Sequence, residues 1–264
     1  MLRLGLLAAM LCVATPALAQ DPDEDGWVPL FNGETLDGWK AGWAQEAPAG
    51  GRDPASLFTV ENGTIHAYAA DEAGTKQQQA YIVSDGDYRD YRLSLEYKWG
   101  TKKFAPRTEL VRDAGLLFHV HDHSIPDWPH SVEAQIQEGD TGDLWAISSR
   151  ASSTVLPLTG RYMEPAGGGV PVTVGAYRDF ARIRHGALNE LPEWNTLEIV
   201  VRGDTATYIV NGFVNMRVTG LKRWDPAAEA WATLDHGRVA LQAEYAELFY
   251  RNIRIRPLTA EEMK

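Results

Sequence analysis

Tyr91-Arg92-Leu93-Ser94-Leu95-Glu96-Tyr97-Lys98-Trp99 alternates without a break. Leu93, Leu95, Tyr97 and Trp99 take one face, and Arg92, Ser94, Glu96 and Lys98 take the other. A period of two marks a half-buried β-strand. Outward from it, the signals stay β. Leu57-Phe58-Thr59-Val60 and Thr64-Ile65-His66-Ala67 flank Asn62-Gly63 and predict a tight hairpin. Asn211-Gly212 marks a second tight turn. Further strands are predicted over 81–83, 115–121, 131–137, 144–147, 155–158, 171–175, 180–184, 194–202, 205–210, 213–218, 237–244 and 247–256. Helical periodicity is weak. Only 225–233, DPAAEAWAT, predicts a short helix, with Pro226 suited to its first turn. The pattern is that of an all-β sandwich or barrel.

The chain begins with Met1-Leu2-Arg3, an apolar run, then Ala17-Leu18-Ala19. This predicts a secretory signal peptide over residues 1–19, too short to span a bilayer. Residues 20–25 read as a short leader, 26–258 as one domain and 259–264 as a tail. The only cysteine, Cys12, lies in the signal segment. The mature chain is thus expected to lack disulfides and to stand on its core. The formal net charge is -11. An acidic chain argues against nucleic acid and anionic membranes as partners. Nine Trp and ten Tyr suit core filling or stacking on sugar rings. The sequence carries no P-loop, dinucleotide fingerprint or His-Glu-x-x-His, and no organic cofactor is expected. It says nothing of the oligomeric state.

Four of the seven histidines fall within the stretch from Leu116 to Ser131. Strand parity puts Leu117, His119 and His121 on one face of 115–121. It puts Ser131, Glu133, Gln135 and Gln137 on one face of 131–137, and Gln242 with Glu244 on one face of 237–244. If these strands and 91–99 are neighbours, Glu96, His119, Glu133, Gln135 and Gln242 line one surface. His119-x-His121 is a spacing that can hold one divalent ion, with Glu133 as third ligand; calcium, zinc and manganese all remain open. The alternative is one histidine acting as base or donor near neutral pH. Trp128, extended by the proline after it, sits beside this cluster. His66, His185 and His236 read as incidental. Glu138-Gly139-Asp140-Thr141-Gly142-Asp143 is either an oxygen-rich cation loop or a solvated turn.

Several phrases occur in a specific order. They are Leu30-Phe31-Asn32-Gly33 with Leu36-Asp37-Gly38-Trp39, Phe58-Thr59-Val60-Glu61-Asn62-Gly63, and Asp87 to Tyr97. Trp128-Pro129-His130-Ser131-Val132-Glu133-Ala134-Gln135-Ile136, Gly139 to Trp145, Glu193 to Ile199, Gly237 to Gln242 and Phe249 to Ile255 complete the order. Together they resemble the 3-keto-disaccharide hydrolase domain family over roughly residues 26–258. The resemblance implies a concanavalin A-like lectin/glucanase fold, a two-sheet jelly-roll sandwich whose sheet face binds sugar. It also implies action on glycosides oxidised at C3, and with the signal peptide the expected location is secreted, in a bacterial periplasm. Two departures stand out. Asp113-Ala114-Gly115 replaces Asn-Ser-Gly, and Gln242-Ala243-Glu244-Tyr245 lacks a histidine usual near the end.

A ketone at C3 acidifies the C2 proton. A base removes it, the anomeric oxygen leaves, and water adds across the resulting enone. This needs a base, an acid and a donor or cation at the 3-oxygen. It does not need the opposed carboxylates of ordinary glycoside hydrolysis. The resemblance suggests His119 or Glu133 as base, with His121 or a metal near it stabilising the enolate. Gln135, Gln242, Glu96, Trp128 and Glu244 then contact the sugar. The rival readings are a non-catalytic carbohydrate-binding protein and, lower, an endoglucanase using Glu133 and Glu138.

Overall fold

A computed structural model describes residues 22–124 and 127–263. The predicted signal peptide lies outside these residues. All paired strands named below run antiparallel, in two sheets. One sheet has the order Phe180–Ile183, Leu144–Ile147, His130–Gln137, Asp113–Asp122, Arg238–Ala243, Ala80–Ser84, Trp39–Trp43. The larger sheet has Tyr91–Lys103 near its middle, between Asn195–Arg202 and Ala246–Pro257. This is an all-β, two-sheet jelly-roll sandwich.

The alternation of the opening stretch is realised in full. Leu93, Leu95 and Tyr97 are completely buried, while Arg92, Glu96 and Lys98 look outward. They meet Leu116, Phe118, Val132, Ala134 and Ile136 of the smaller sheet in one continuous core. Both Asn-Gly turns have positive φ at each residue, 50° and 72° at Asn62-Gly63, and 50° and 84° at Asn211-Gly212. That is the mirror-image turn whose twist matches antiparallel strands.

Three core tyrosines cross between the sheets. Tyr208 donates its hydroxyl to the Glu133 carbonyl at 3.1 Å, and Tyr250 donates to the Gln242 carbonyl at 2.8 Å. Tyr68 shares its hydroxyl proton between the Gln78 carbonyl at 2.7 Å and the Ala243 carbonyl at 3.0 Å. A buried hydroxyl needs such a partner, and here the partner is the back of a strand whose other face is polar.

The expected helix over 225–233 is replaced by a hairpin. Phe213–Asp225 pairs with Ala230–Thr233, and Asp225 caps the connecting turn by accepting from Ala227 N and Ala228 N. Trp224 and Trp231 face each other across it at 5.6 Å, edge to face. A nine-residue helix is marginal, whereas an aromatic cross-strand pair stabilises a hairpin directly. The predicted strand over 155–158 also shifts: Ser149–Leu156 forms instead.

Candidate active site

The face of the smaller sheet turned away from the core is polar at its centre. Cross-strand register places Asp113 opposite Gln137, Gly115 opposite Gln135 and Leu117 opposite Glu133. Glu133 pairs with Trp145 on its other side. Gln242 lies on Arg238–Ala243, and Glu244 just past it bridges to Asp113. Asp113, Glu133, Gln135, Gln242 and Glu244 thus line one cleft of about 130 Å³, walled by Trp128, Trp145, Ile147 and Phe180.

Gly115 makes the centre of this cleft possible. A Cβ there would collide with the Glu133 carboxylate and lie 2.7 Å from Gln242 Oε1. The missing side chain lets Glu133 and Gln242 lean over the strand between them. Gln242 Oε1 is buried with no hydrogen-bond partner among the described residues.

The carboxyls differ in what holds them. Asp113 accepts from Gln135 Nε2 at 2.9 Å, Gln137 Nε2 at 2.7 Å and Arg107 Nη2 at 2.7 Å. Glu244 accepts from Gln79 Nε2 at 2.7 Å and is paired with Arg107 Nη1. Burial, then the charge of Asp113, pushes Glu244 up to about 8. Burial also raises Asp113, opposed by Arg107. Glu133 is raised well above the carboxylate range by burial, then by Asp113 and Glu244. Three buried carboxyls in one cleft cannot all ionise, so the donors decide which does. Asp113, with three donors, holds the charge most readily. Glu133 is pushed toward its neutral form.

The structure brings together Glu133, Gln135, Gln242, Glu244 and Trp128. It does not bring Glu96, His119 or His121 to them. Glu96 belongs to the larger sheet and faces outward, bound to Arg251 Nε at 2.7 Å and Asn252 Nδ2 at 2.8 Å. The expected adjacency of its strand to the polar sheet is therefore corrected: Tyr91–Lys103 pairs with Asn195–Arg202 and Ala246–Pro257.

Strand parity fails at His119 because the ladder is bulged between Phe118 and Asp122. His119 has φ 50° and is fully buried, with Nε2 3.2 Å from the Gly203 carbonyl of the other sheet. One left-handed residue turns the side chain inward and sends Val120, not His119, to the outer face. Burial lowers His119 to about 4, so the imidazole is neutral. Its Nδ1 is buried without a partner among the described residues. His121, also lowered to about 4 by burial, holds the His119 carbonyl at 3.1 Å and packs near His130. The expected ligand set His119, His121 and Glu133 is thus not assembled.

A different trio could hold a divalent cation. Asp140, Asp143 and His185 offer ligand atoms all within 4.8 Å of one another. Asp143 accepts from the His185 backbone N–H at 2.7 Å and from Arg182 Nε at 2.5 Å, and pairs with His185 Nδ1. Arg182 also reaches Asp140 at 2.9 Å. Arg182 therefore already pairs with both carboxylates, Arg184 lies 3.6 Å from Asp140, and a cation here has to compete with them. The loop that looked like a cation site in sequence is held by arginine, and His185, read as incidental, is its buried anchor.

Asp113, Arg107, Gln79, Trp145 and Phe180 were not singled out from sequence as site residues. Asp113 shares the parity of Gly115 and Leu117, a signal that was present. Arg107 arrives from an irregular loop, and no periodicity reports it.

No curated protein matches the chain. Two solved structures, each of a putative glycosyl hydrolase from Parabacteroides distasonis ATCC 8503, share the fold. The first has TM-score 0.52 and 16% identity, covering 89% of this chain and 95% of its own. The second has TM-score 0.50 and 18% identity, covering 88% and 99%. The architecture is of the concanavalin A-like lectin/glucanase type, as the sequence resemblance implied. Residues 26–256 match the 3-keto-alpha-glucoside-1,2-lyase-like domain, and the chain belongs to that family.

Proposed function

We propose that the protein cleaves glycosides oxidised at C3, by elimination and rehydration. The observation that carries this reading is the unequal carboxyl trio in one small cleft. Glu244, pushed to about 8, is a stronger base than an ordinary carboxylate once ionised. It takes the C2 proton. Electrons move into a C1–C2 double bond, and the C1–O bond breaks. Glu133, neutral because it is buried, gives its proton to the leaving oxygen. Gln135 and Gln242 orient hydroxyls, and Gln242 Oε1, unpartnered, awaits a donor. Water then adds its hydroxyl to C1 and a proton to C2. An ordinary retaining glycosidase needs one ionised nucleophile beside one acid. Here both Glu133 and Glu244 are pushed toward the neutral form, which favours proton transfer over nucleophilic attack.

The aromatic wall of Trp128, Trp145 and Phe180 also favours a second reading, carbohydrate binding without turnover. Incubation of glucosides with and without C3 oxidation in D2O separates the two. The expected result is cleavage of the oxidised form only, with deuterium at C2 of the released sugar. Cleavage without C2 exchange, or equal cleavage of unoxidised glucosides, overturns the mechanism. Tight sugar binding without any cleavage supports the second reading. Export through the segment over residues 1–19 belongs to the same proposal, supported by the charged start, apolar run and Ala17-Leu18-Ala19 end of that segment.

A further inference from the structure

Beside the cleft lies a second hollow of about 340 Å³. The two share Trp128, Ile147 and Phe180. At about 130 Å³ the inner cleft falls short of the roughly 300–1,000 Å³ of sites that enclose a whole ligand, and the two together fall within it. A glycoside seated with its oxidised ring on Glu133 and Glu244 must place its leaving group somewhere, and this hollow adjoins.

The outer hollow is built, not incidental. Ser148 and Arg178 both adopt positive φ, 51° and 58°, and are tied together. Arg178 N donates to Ser148 Oγ at 2.9 Å, and Ser148 N donates to the Asp179 carbonyl at 2.8 Å. Two strained residues held this way fix the loop that carries Tyr177 and Phe180. Tyr177 stacks on Trp224 at 5.9 Å and meets the His130 ring edge at 6.0 Å. Tyr177 and Phe180 nevertheless remain 37% and 43% exposed.

One oxygen of each carboxylate in the hollow is held by its own loop. Asp122 Oδ1 accepts from Ser124 N and Oγ, Asp127 Oδ1 from Trp128 N, and Asp179 Oδ1 from Phe180 N. Beside them stand the rings of Trp128, Tyr177 and Phe180, and the Arg178 guanidinium lies 5.1 Å from the centre of the Tyr177 ring. A flat aryl group gains stacking on these rings and the face of a guanidinium beside them.

We infer that this hollow receives the leaving group, and that it selects an aromatic alcohol. The inference rests on the 3-keto-glycoside reading above and adds the class of leaving group. The reaction balances as aryl 3-ketoglycoside plus water giving 3-keto sugar plus phenol. The phenol oxygen takes its proton from Glu133 as the C1–O bond breaks.

Binding and turnover test it separately. Calorimetry with unoxidised 4-nitrophenyl, methyl and glucosyl glucosides, in both anomers, needs no chemistry. The aryl glucoside is expected to bind tightest. Tyr177→Ala and Phe180→Ala, both at exposed positions, should each lower the aryl-over-methyl affinity ratio about tenfold, the scale of one aromatic contact. The kcat/KM ratio on the oxidised substrates should fall in parallel. Tighter binding of the disaccharide, or an aryl-over-methyl ratio that neither variant moves, overturns the inference. A ratio that falls in binding while no oxidised glycoside is turned over supports this hollow and sinks the reaction reading.

Discussion

Glu244→Gln offers the sharpest test of the electrostatics. The amide keeps the shape, and its oxygen can still accept from Gln79 and Arg107, but it cannot ionise. In the native chain this carboxyl moves from an ordinary 4.5 to about 8. At about 1.36 kcal/mol per tenfold, ionising it in place costs on the order of 5 kcal/mol more than in the unfolded chain. Coupling to Asp113 makes this a ceiling, because the pair shares its proton. The sign follows from proton binding. A carboxyl raised by folding holds its proton longer in the native state, so its contribution is complete below 4.5 and is lost as pH rises through about 8. The variant lacks this loss. Its stability relative to the native protein should therefore grow between pH 4.5 and 8 and level off above. A pH-independent offset from altered pairing with Arg107 adds to this without changing its slope. Urea unfolding midpoints across that range measure the difference. A gap that stays flat, or that narrows with rising pH, refutes the placement of Glu244. The same variant should lose nearly all turnover, and native turnover should rise with pH through about 8 as the base ionises.

Gly115→Ala forces Glu133 and Gln242 apart, and should cost about 1–3 kcal/mol in thermal unfolding while abolishing turnover of 3-keto-glycosides; full activity would show that the cleft does not need this vacancy. His119→Ala should destabilise by about 2–4 kcal/mol through the cavity it leaves, with turnover per folded molecule retained, because the ring faces the core. A normal melting curve with lost turnover would restore His119 to the chemistry. Asp143→Ala leaves Arg182 with Asp140 alone and removes the buried acceptor of the His185 backbone N–H, and should cost about 3–5 kcal/mol by denaturant titration. With arginine already on both carboxylates, millimolar calcium or zinc should leave the native melting temperature unmoved, and a rise that Asp143→Ala abolishes would mean that a cation displaces Arg182.

Sequence parity reads the fold well wherever a strand is regular. Tyr91 to Trp99 and Ser131 to Gln137 keep their alternation, so Glu133 and Gln135 fall on the face that was expected. It fails at His119, where one left-handed residue reverses every later side chain. Nothing in His-Val-His announces that reversal. The register that puts the strand of Glu96 in the other sheet is a long-range choice, set by core packing and not by any local pattern. Histidine count drew attention to 119–130, whereas the groups proposed to react are carboxyls one or two strands away. Their pKa values come from burial and from Arg107, a residue on an irregular loop, and burial of that kind is a property of the assembled sheet.

The tyrosines that cross the sandwich bear on how such a protein can change over time. Tyr208, Tyr250 and Tyr68 fasten the Glu133, Gln242 and Ala243 carbonyls from behind. The backbone under the cleft is thereby fixed by groups that never touch a ligand. Residues on the open face can then be exchanged one at a time without unfastening the strand beneath them. Divergence of specificity is uncoupled from divergence of the scaffold, and new chemistry can be tried on this sheet at little risk to the fold that carries it.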